Sequence, residues 1–468
     1  MTLLLPTDPS RFDNERLQMS ESATIPLAPG AVPLLGHLPR LARDPLKFLD
    51  TLSEHGELLT LRVGGKKVIV VCDPALTHQV LIADDVYDKG GPFFEASRKL
   101  LPTAMGLAPY EKHRRLRRLM QPSFTRGRLS RHGEIMSEQM VKVVAGWRDG
   151  DELDVVQELM TITGRVLTAT IFSSSVSERT LREITADSLE LTRGVAVDIA
   201  LPGPLARLTP GYGHYRRSVA RLRETMLRLI HERRAEGEEA AAAHGDLLSA
   251  LLAAKDEEGG GDRFSDSELV DQLSFMMVAG TETTSQTVSW ALHELSRRPE
   301  LQARVHAEVD EVLGGRPAGY DDGPRLEVIN RLVSEVLRFY SPTWLFTRRT
   351  TADTELGGHR IPAGTDVLYS PYIVNRAPAS HEDARGFDPD RWAPERAACM
   401  HARGYIPFGT GARKCIGDQF ALLESALLVA SIAQRWSLTA VPGTRLKTSR
   451  KVVNSPLGLR LRAVRRAR

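Results

Sequence analysis

The chain predicts a mainly α fold with a small β region, and three observations carry that expectation. Residues 102–298 show helical patterning, broken at Pro202-Gly203-Pro204, Pro210-Gly211 and Gly259-Gly260-Gly261. β-rich runs are short and lie at either end of that body: residues 58–63 and 68–72 before it, Pro-punctuated segments after Gly357-Gly358 behind it. Within the body, Ser265-Asp266-Ser267-Glu268 reads as a capping box whose helix runs to about Arg298, where Pro299 stops it. Between Asp271 and Glu294 only Glu282 carries formal charge, so this helix lies in the interior.

In chain order, residues 1–25 are polar and aperiodic and read as a disordered lead to a single domain over 26–468. Pro26 to Gly36 is rich in Pro and Gly and runs extended; Pro45 starts a helix toward His55. Gly64-Gly65 between the first two β runs reads as a hairpin turn, and Asp73-Pro74 opens a helix. Glu238–Ala243 reads as a solvated helix end or loop, and an apolar helical run spans Phe420 to Trp436. The Arg-rich end from Arg460 reads as a solvated tail, and no internal repeat is present.

Composition excludes several classes. With 468 residues, 42% of them hydrophobic, the chain can bury a large core. Its net charge of +3 does not point to nucleic acid. The densest basic cluster, His113-Arg114-Arg115-Leu116-Arg117-Arg118, lacks the interleaved aromatics of a nucleic-acid module. Three cysteines (Cys72, Cys399, Cys415) are too sparse and odd for a disulfide framework or a structural zinc site, and fit a reducing cytoplasm. The opening apolar run through Leu5 is far short of a membrane span, so a soluble chain without an anchor is expected. Asp84-Asp85-x-x-Asp88 has the spacing of a magnesium-diphosphate motif, but two adjacent acids and a third nearby arise cheaply. Gly409-x-Gly411 is not a dinucleotide fingerprint, since Lys414 stands where the third glycine belongs.

Residues 408–417, Phe-Gly-Thr-Gly-Ala-Arg-Lys-Cys-Ile-Gly, place a lone cysteine between glycines, beside two cations and just before a helix. A helix start and nearby cations favour a thiolate, and Gly411 and Gly417 permit tight turns. These features describe an axial thiolate ligand to haem iron. An inert buried cysteine beside a Gly-rich turn is the plainer alternative.

This stretch resembles the haem-binding signature of the cytochrome P-450 family, and every fixed position matches. The resemblance implies the cytochrome P-450 fold, with the long central helix over haem b (iron protoporphyrin IX). It makes Cys415 the iron ligand, packs Phe408 near the sulfur and sets Arg413 on a haem propionate. Ala279-Gly280-Thr281-Glu282-Thr283-Thr284 resembles the family's oxygen-activation motif, which implies that Thr283 meets dioxygen and Glu282 orients a proton relay. Glu335-Val336-Leu337-Arg338 and the later Phe387-Asp388-Pro389-Asp390-Arg391-Trp392 resemble two further family motifs. They imply a structural salt-bridge network of Glu335, Arg338 and Arg391. His113 and Arg117 fall at family positions that bind propionates. A third propionate cation aligns with Arg348, and a one-residue slip would choose Arg349.

The resemblance further implies a monooxygenase using O2, with electrons from a ferredoxin and an NAD(P)H-dependent reductase. The spare cations of the basic cluster, with Lys414, would face that acidic partner. By family position, Phe93, Phe94, Phe275, Val278, Ala279, Trp344 and Phe346 line the substrate pocket, and Val452, Val453 and Leu457 close its far end. None carries charge, so a compact apolar molecule is expected. Several stretches, including Tyr87 to Pro92 and Tyr369-Ser370-Pro371-Tyr372, resemble actinobacterial terpene-oxidising members of the family. The expected enzyme is therefore a monomeric, cytoplasmic, bacterial terpenoid hydroxylase. A peroxide-driven relative and a non-catalytic haem carrier are the competing readings, and neither needs the Glu282-Thr283 pair.

Overall fold

Gly64, at φ +60°, and Gly65 close a two-residue turn that pairs Val63 with Lys66. The second strand therefore begins at Lys66, two residues earlier than its apolar run suggests. The computed structural model describes residues 24–173, 176–201, 203–378, 380–397, 403–448 and 453–467. The expected lead lies outside these, apart from its last two residues, as do Cys399 and Val452.

The strands that frame the molecule are β1 (Leu58–Val63), β2 (Lys66–Val71), β3 (Tyr87–Asp88), β4 (Glu152–Asp154), β5 (Phe346–Thr350), β6 (Asp366–Tyr369), β7 (Trp436–Ala440) and β8 (Arg460–Arg465). Five of them make one sheet in the order β1-β2-β6-β5-β3. β2 and β6 run parallel, and the other neighbours are antiparallel. The β runs at the two ends of the sequence thus join in a single sheet. A second sheet has the order β4-β8-β7. Trp436 opens β7 rather than ending the helix before it, and much of the Arg-rich end is a paired strand rather than a free tail.

The helices that place the site are α1 (Pro74–Ile82), α2 (Pro92–Arg98), α3 (Tyr110–Met120), α4 (Arg126–Val144), α5 (Val155–Phe172), α6 (Glu178–Ala200), α7 (Tyr212–Ala235), α8 (Asp266–Arg297), α9 (Glu327–Tyr340) and α10 (Asp418–Ala433). Asp73 caps α1 by accepting from Leu76 N at 2.8 Å. The capping box of α8 is complete: Glu268 N donates to Ser265 Oγ, and Ser265 N donates to Glu268 Oε2. Arg298 ends α8, and Pro299 begins the next helix.

α8 packs against α5, α7, α9 and α10, so its nearly uncharged sequence is matched by an interior position. The largest apolar core surrounds α8 and α10. A separate core, with Phe48, Leu52, Leu59 and Leu368, lies on the sheet.

Candidate functional site

The cysteine loop is closed on itself by Cys415 N donating to Phe408 O at 2.9 Å. Gly409 and Gly411 both take φ +69°, a region that a side chain disfavours. At Gly411 space forbids one as well, because a Cβ would sit 2.8 Å from Leu81 O of α1. Gly417, expected to need the same freedom, is at φ −95° and serves as N-cap of α10.

Cys415 is exposed, yet burial by surrounding protein raises its thiol pKa. Both fit a sulfur facing an enclosed hollow rather than bulk water. The Gly417 N–H, Arg117 and Lys89 pull the pKa down, but burial outweighs them. The helix start and the cations therefore do not ionise this thiol unaided. A bound metal would, because a coordinating thiol is deprotonated outright.

Beside the cysteine loop lies a cluster of buried and half-buried cations. Arg413 donates to Asp84 Oδ2 at 2.9 Å, Asp88 Oδ1 at 2.7 Å and Ala108 O at 2.7 Å. Asp84 also takes Arg114 at 3.0 Å. Asp84 and Asp88 are thus counter-ions of arginines, in keeping with how cheaply their spacing arises. Arg413 is held by two carboxylates and a carbonyl at the edge of the cysteine loop.

Three other groups lack such partners. Arg348 is buried, lies over the Tyr369 ring at 5.6 Å, leaves Nε unpaired and meets no carboxylate among the described residues. Its neighbour Arg349 is taken by Asp366 at 2.7 Å and Glu95 at 2.6 Å, so the one-residue ambiguity falls to Arg348. His113 is buried with Nδ1 unpaired, and burial, then Arg413 and Lys89, lower its pKa to about 3. Lys89 donates to Gly106 O at 2.5 Å and has no acidic partner among the described residues. Burial, then Arg348 and Arg413, lower its pKa well below the ordinary lysine value. Sequence reasoning missed Lys89 as a site residue. The Asp88-Lys89 dipeptide gives no sign of where it will be buried.

Buried cations without counter-ions are costly. Lys89 and Arg348, with His113 beside them, fit a ligand that brings its own carboxylates. Arg117 stands at the edge: its Nε is taken by Gln121, and its Nη1 donates to Lys414 O at 2.6 Å, tying α3 to the cysteine loop. The donor set as a whole (a thiol, unpaired cations and glycines at a close approach) fits haem.

α8 supplies the opposite kind of surface. Phe275, Val278, Ala279, Glu282 and Thr283 are half-buried, while Met277, Thr281 and Thr284 beside them are buried. The spacings of three, four and seven put the half-open positions on one helix face. The Thr283 hydroxyl donates to Ala279 O at 2.7 Å, and the helix runs on unbroken rather than opening there. Gly106 links this face to the cation cluster. Its oxygen holds Lys89, and a Cβ on it would lie 2.1 Å from the Phe275 ring.

The other pocket candidates divide. Phe93 and Phe94 meet edge to face at 5.3 Å beside the helical core, with Phe94 buried between Lys89 and Arg98. Trp344 belongs to the sheet core, and Phe346 stacks on Tyr369 at 5.3 Å in a third cluster. Trp344 therefore packs into the sheet layers, while Phe346 at the start of β5 stays half-buried. Val453 bridges to Thr343, and Leu457 is exposed.

The expected network is built. Glu335 and Arg338 are fully buried and doubly bonded at 2.7 and 2.8 Å. Trp392 Nε1 and Asp388 N also donate to Glu335, and three backbone carbonyls accept from Arg338. Arg391 stands farther off, 3.7 Å from Glu335. The expected basic face is largely paired: Arg115 with Glu268, Arg118 with Asp256 and Lys414 with Asp418.

Phe408 and Cys415, the α8 face and the buried network now stand in one frame, and known proteins share it. The cytochrome P-450 family profile matches residues 26–462. Pentalenene oxygenase of Streptomyces avermitilis is 40% identical over 441 residues, covering 94% of this chain and 97% of that protein. Cyclooctatin synthase of Streptomyces melanosporofaciens is 41% identical over 423 residues, covering 90% and 91%. Cyclooctat-9-en-7-ol 5-monooxygenase of the same organism is 41% identical over 421 residues, covering 90% of each. The crystal structure of a cytochrome P-450DA haem domain superposes with a TM-score of 0.86 at 27% identity, over 95% of this chain and 98% of that one. No helix among the described residues is long and apolar enough to cross a membrane. The chain belongs to the cytochrome P-450 family: it is a haem-binding monooxygenase.

Proposed function

We propose that the protein hydroxylates a compact terpenoid hydrocarbon, a sesquiterpene or a close relative, in secondary metabolism. One observation carries the reading: the open face of α8 offers Phe275, Val278 and Ala279, with Glu282 as its sole charge, so it suits an apolar skeleton and a single proton path. Similarity to Streptomyces enzymes that include a pentalenene oxygenase and a cyclooctatin synthase supports the same class.

Cys415 would hold haem b, with Lys89, Arg348 and His113 meeting its acids, and the bound haem would supply the oxygen chemistry. The chain's own residues do the rest. Phe275 and its neighbours orient the hydrocarbon and exclude water. Glu282 takes up protons, and the Thr283 hydroxyl, now on Ala279 O, exchanges that partner to pass a proton inward. Electrons are proposed to come from a ferredoxin and its NAD(P)H-dependent reductase. Arg114 and Arg118 keep 46% and 38% of their side chains exposed despite their ion pairs, so this face remains positive toward an acidic partner. A monomeric, cytoplasmic catalytic unit completes the proposal, supported by the sparse cysteines.

The test is the spectrum of the reduced, carbon-monoxide-bound protein, then titration with pentalenene and other sesquiterpenes. A thiolate-type band and a spin-state shift with sesquiterpenes are expected. Tight spectral binding of macrolides or fatty acids, with none of sesquiterpenes, would refute the substrate class.

A further inference from the structure

We propose that Asp271 and Gln272 of α8 are positioning residues that set the size of the substrate chamber. They do so by fixing residues 103–107 of the loop between α2 and α3 against Phe275. The inference rests on the reading of an apolar substrate and deepens it.

Both side chains are buried and fully engaged. Asp271 Oδ2 accepts from Thr103 N at 2.9 Å and from Thr103 Oγ1 at 2.7 Å. Its Oδ1 accepts from Arg223 of α7, which also donates to Leu100 O. Gln272 Oε1 accepts from Met105 N at 2.8 Å, and its Nε2 donates to Thr103 O at 2.6 Å. Two adjacent residues therefore join three separate elements: the loop, α7 and α8.

Packing shares in placing the loop: Ala104, Met105 and Leu107 are buried in the main core, and Arg98 Nε donates to Leu107 O at 2.7 Å. The loop's own backbone bonds are local turns, such as Ala104 N to Leu101 O and Leu107 N to Ala104 O. No strand ladder holds it, so side chains from elsewhere set its position. The cluster beside the cysteine loop holds the far side, with Lys89 on Gly106 O and Arg413 on Ala108 O. Asp271 and Gln272 hold the near side.

Phe275 lies one turn beyond this clasp on the same helix face. Its ring rests on Gly106, where even a Cβ would come within 2.1 Å. A shift of the loop along α8 would therefore move the surface that seats Phe275 and change the depth of the chamber. Because every oxygen and nitrogen of the Asp271 and Gln272 side chains is already bonded within the protein, the clasp brings no free polar group to this end of the chamber. That end would accept hydrocarbon surface and discriminate by size.

The test uses the haem-loaded enzyme and two iron-ligating probes, imidazole and a bulky diaryl-substituted imidazole, read by the Soret shift. Gln272→Leu and Asp271→Asn should keep the wild-type band of the reduced carbon-monoxide complex. They should leave the imidazole Kd within about twofold and change that of the bulky probe by about tenfold or more. With pentalenene as substrate, KM should rise and the product ratio should broaden. Thr103→Val, which keeps the backbone donor, should act in the same direction but less. Gly106→Ala keeps the hydrogen-bonding groups of the clasp but forces the Phe275 ring aside, and should exclude the bulky probe while still admitting imidazole. Thr103→Val decides the matter if Gln272→Leu or Asp271→Asn fails to fold. Folded variants whose bulky-to-small ratio and product ratio match the wild type would overturn the proposal. A wild type that binds the azoles but oxidises no terpene would sink the substrate reading instead, and the size ratios would still judge the clasp.

Discussion

Two buried ionic clusters lie on opposite terms with their surroundings. In the network of Glu335 and Arg338, every charge meets an opposite charge or a backbone group, at 2.7–2.8 Å for the central pair. Around the cysteine loop, buried Arg348 and half-buried Lys89 meet no carboxylate within ion-pair distance among the described residues, and buried His113 leaves a nitrogen unpaired. A satisfied cluster is complete and stabilises the fold. An unsatisfied one is half of an interaction whose other half arrives with the cofactor. The same residue types thus serve folding in one place and binding in the other, and the partner count separates them.

The largest effect should come from the centre of the unsatisfied cluster. Cys415→Ser should abolish the thiolate-type band of the carbon-monoxide complex and reduce hydroxylation below detection. If the band survived unaltered, the unpaired cations would need another explanation. Next comes the satisfied network. Arg338→Leu leaves the Glu335 carboxylate buried and uncompensated and should cost about 3–5 kcal/mol, read as a lowered denaturation midpoint with or without haem. The unsatisfied cluster predicts a different pattern. Arg348→Leu should leave the haem-free protein as stable or more so, since it deletes a lone buried cation. It should weaken haem retention about 10- to 100-fold, the equivalent of one charge-assisted bond. Transfer of haem to apomyoglobin measures that loss. Equal destabilisation of the haem-free protein by both substitutions would erase the contrast.

These two clusters were unequally legible in the sequence. The Glu335-Val336-Leu337-Arg338 spacing puts acid and base on one helix face, and their pairing follows from local geometry. The cysteine loop, the capping box at Ser265 and the hairpin at Gly64-Gly65 are likewise short-range patterns. Lys89 was invisible because nothing near it in the chain says that Gly106 and Arg348 will enclose it. The counter-ions of Arg413 lie more than 300 residues away, so nothing in the sequence pairs Asp84 and Asp88 with it. For the same reason the two β regions gave no hint of the parallel β2–β6 pairing, or of Trp344 packing with Leu59 and Leu368 in the sheet core.

The smallest predicted effect is a proton count. Folding lowers the His113 pKa to about 3 from an ordinary value near 6.5, chiefly by burial. Between those values the unfolded chain binds a proton that the folded chain refuses, so stability rises with pH across that window. Its share of stability is intact above about pH 6.5 and is lost progressively on acidification, amounting to about 2 kcal/mol by pH 5. His132 and His293 are lowered to about 4 and act in the same direction, so the raw slope cannot be assigned to one residue. The difference between wild type and His113→Gln can. In the haem-free protein that substitution should flatten the rise in stability between pH 5 and 6.5 by close to one proton. In the haem-loaded protein, carboxylates beside His113 raise its folded pKa toward the ordinary value, and the same substitution should change the slope far less. Denaturant midpoints across that pH range, with and without haem, read both numbers. An identical change in the two forms would mean that no anion reaches His113, and the unsatisfied cluster would lose one of its three members.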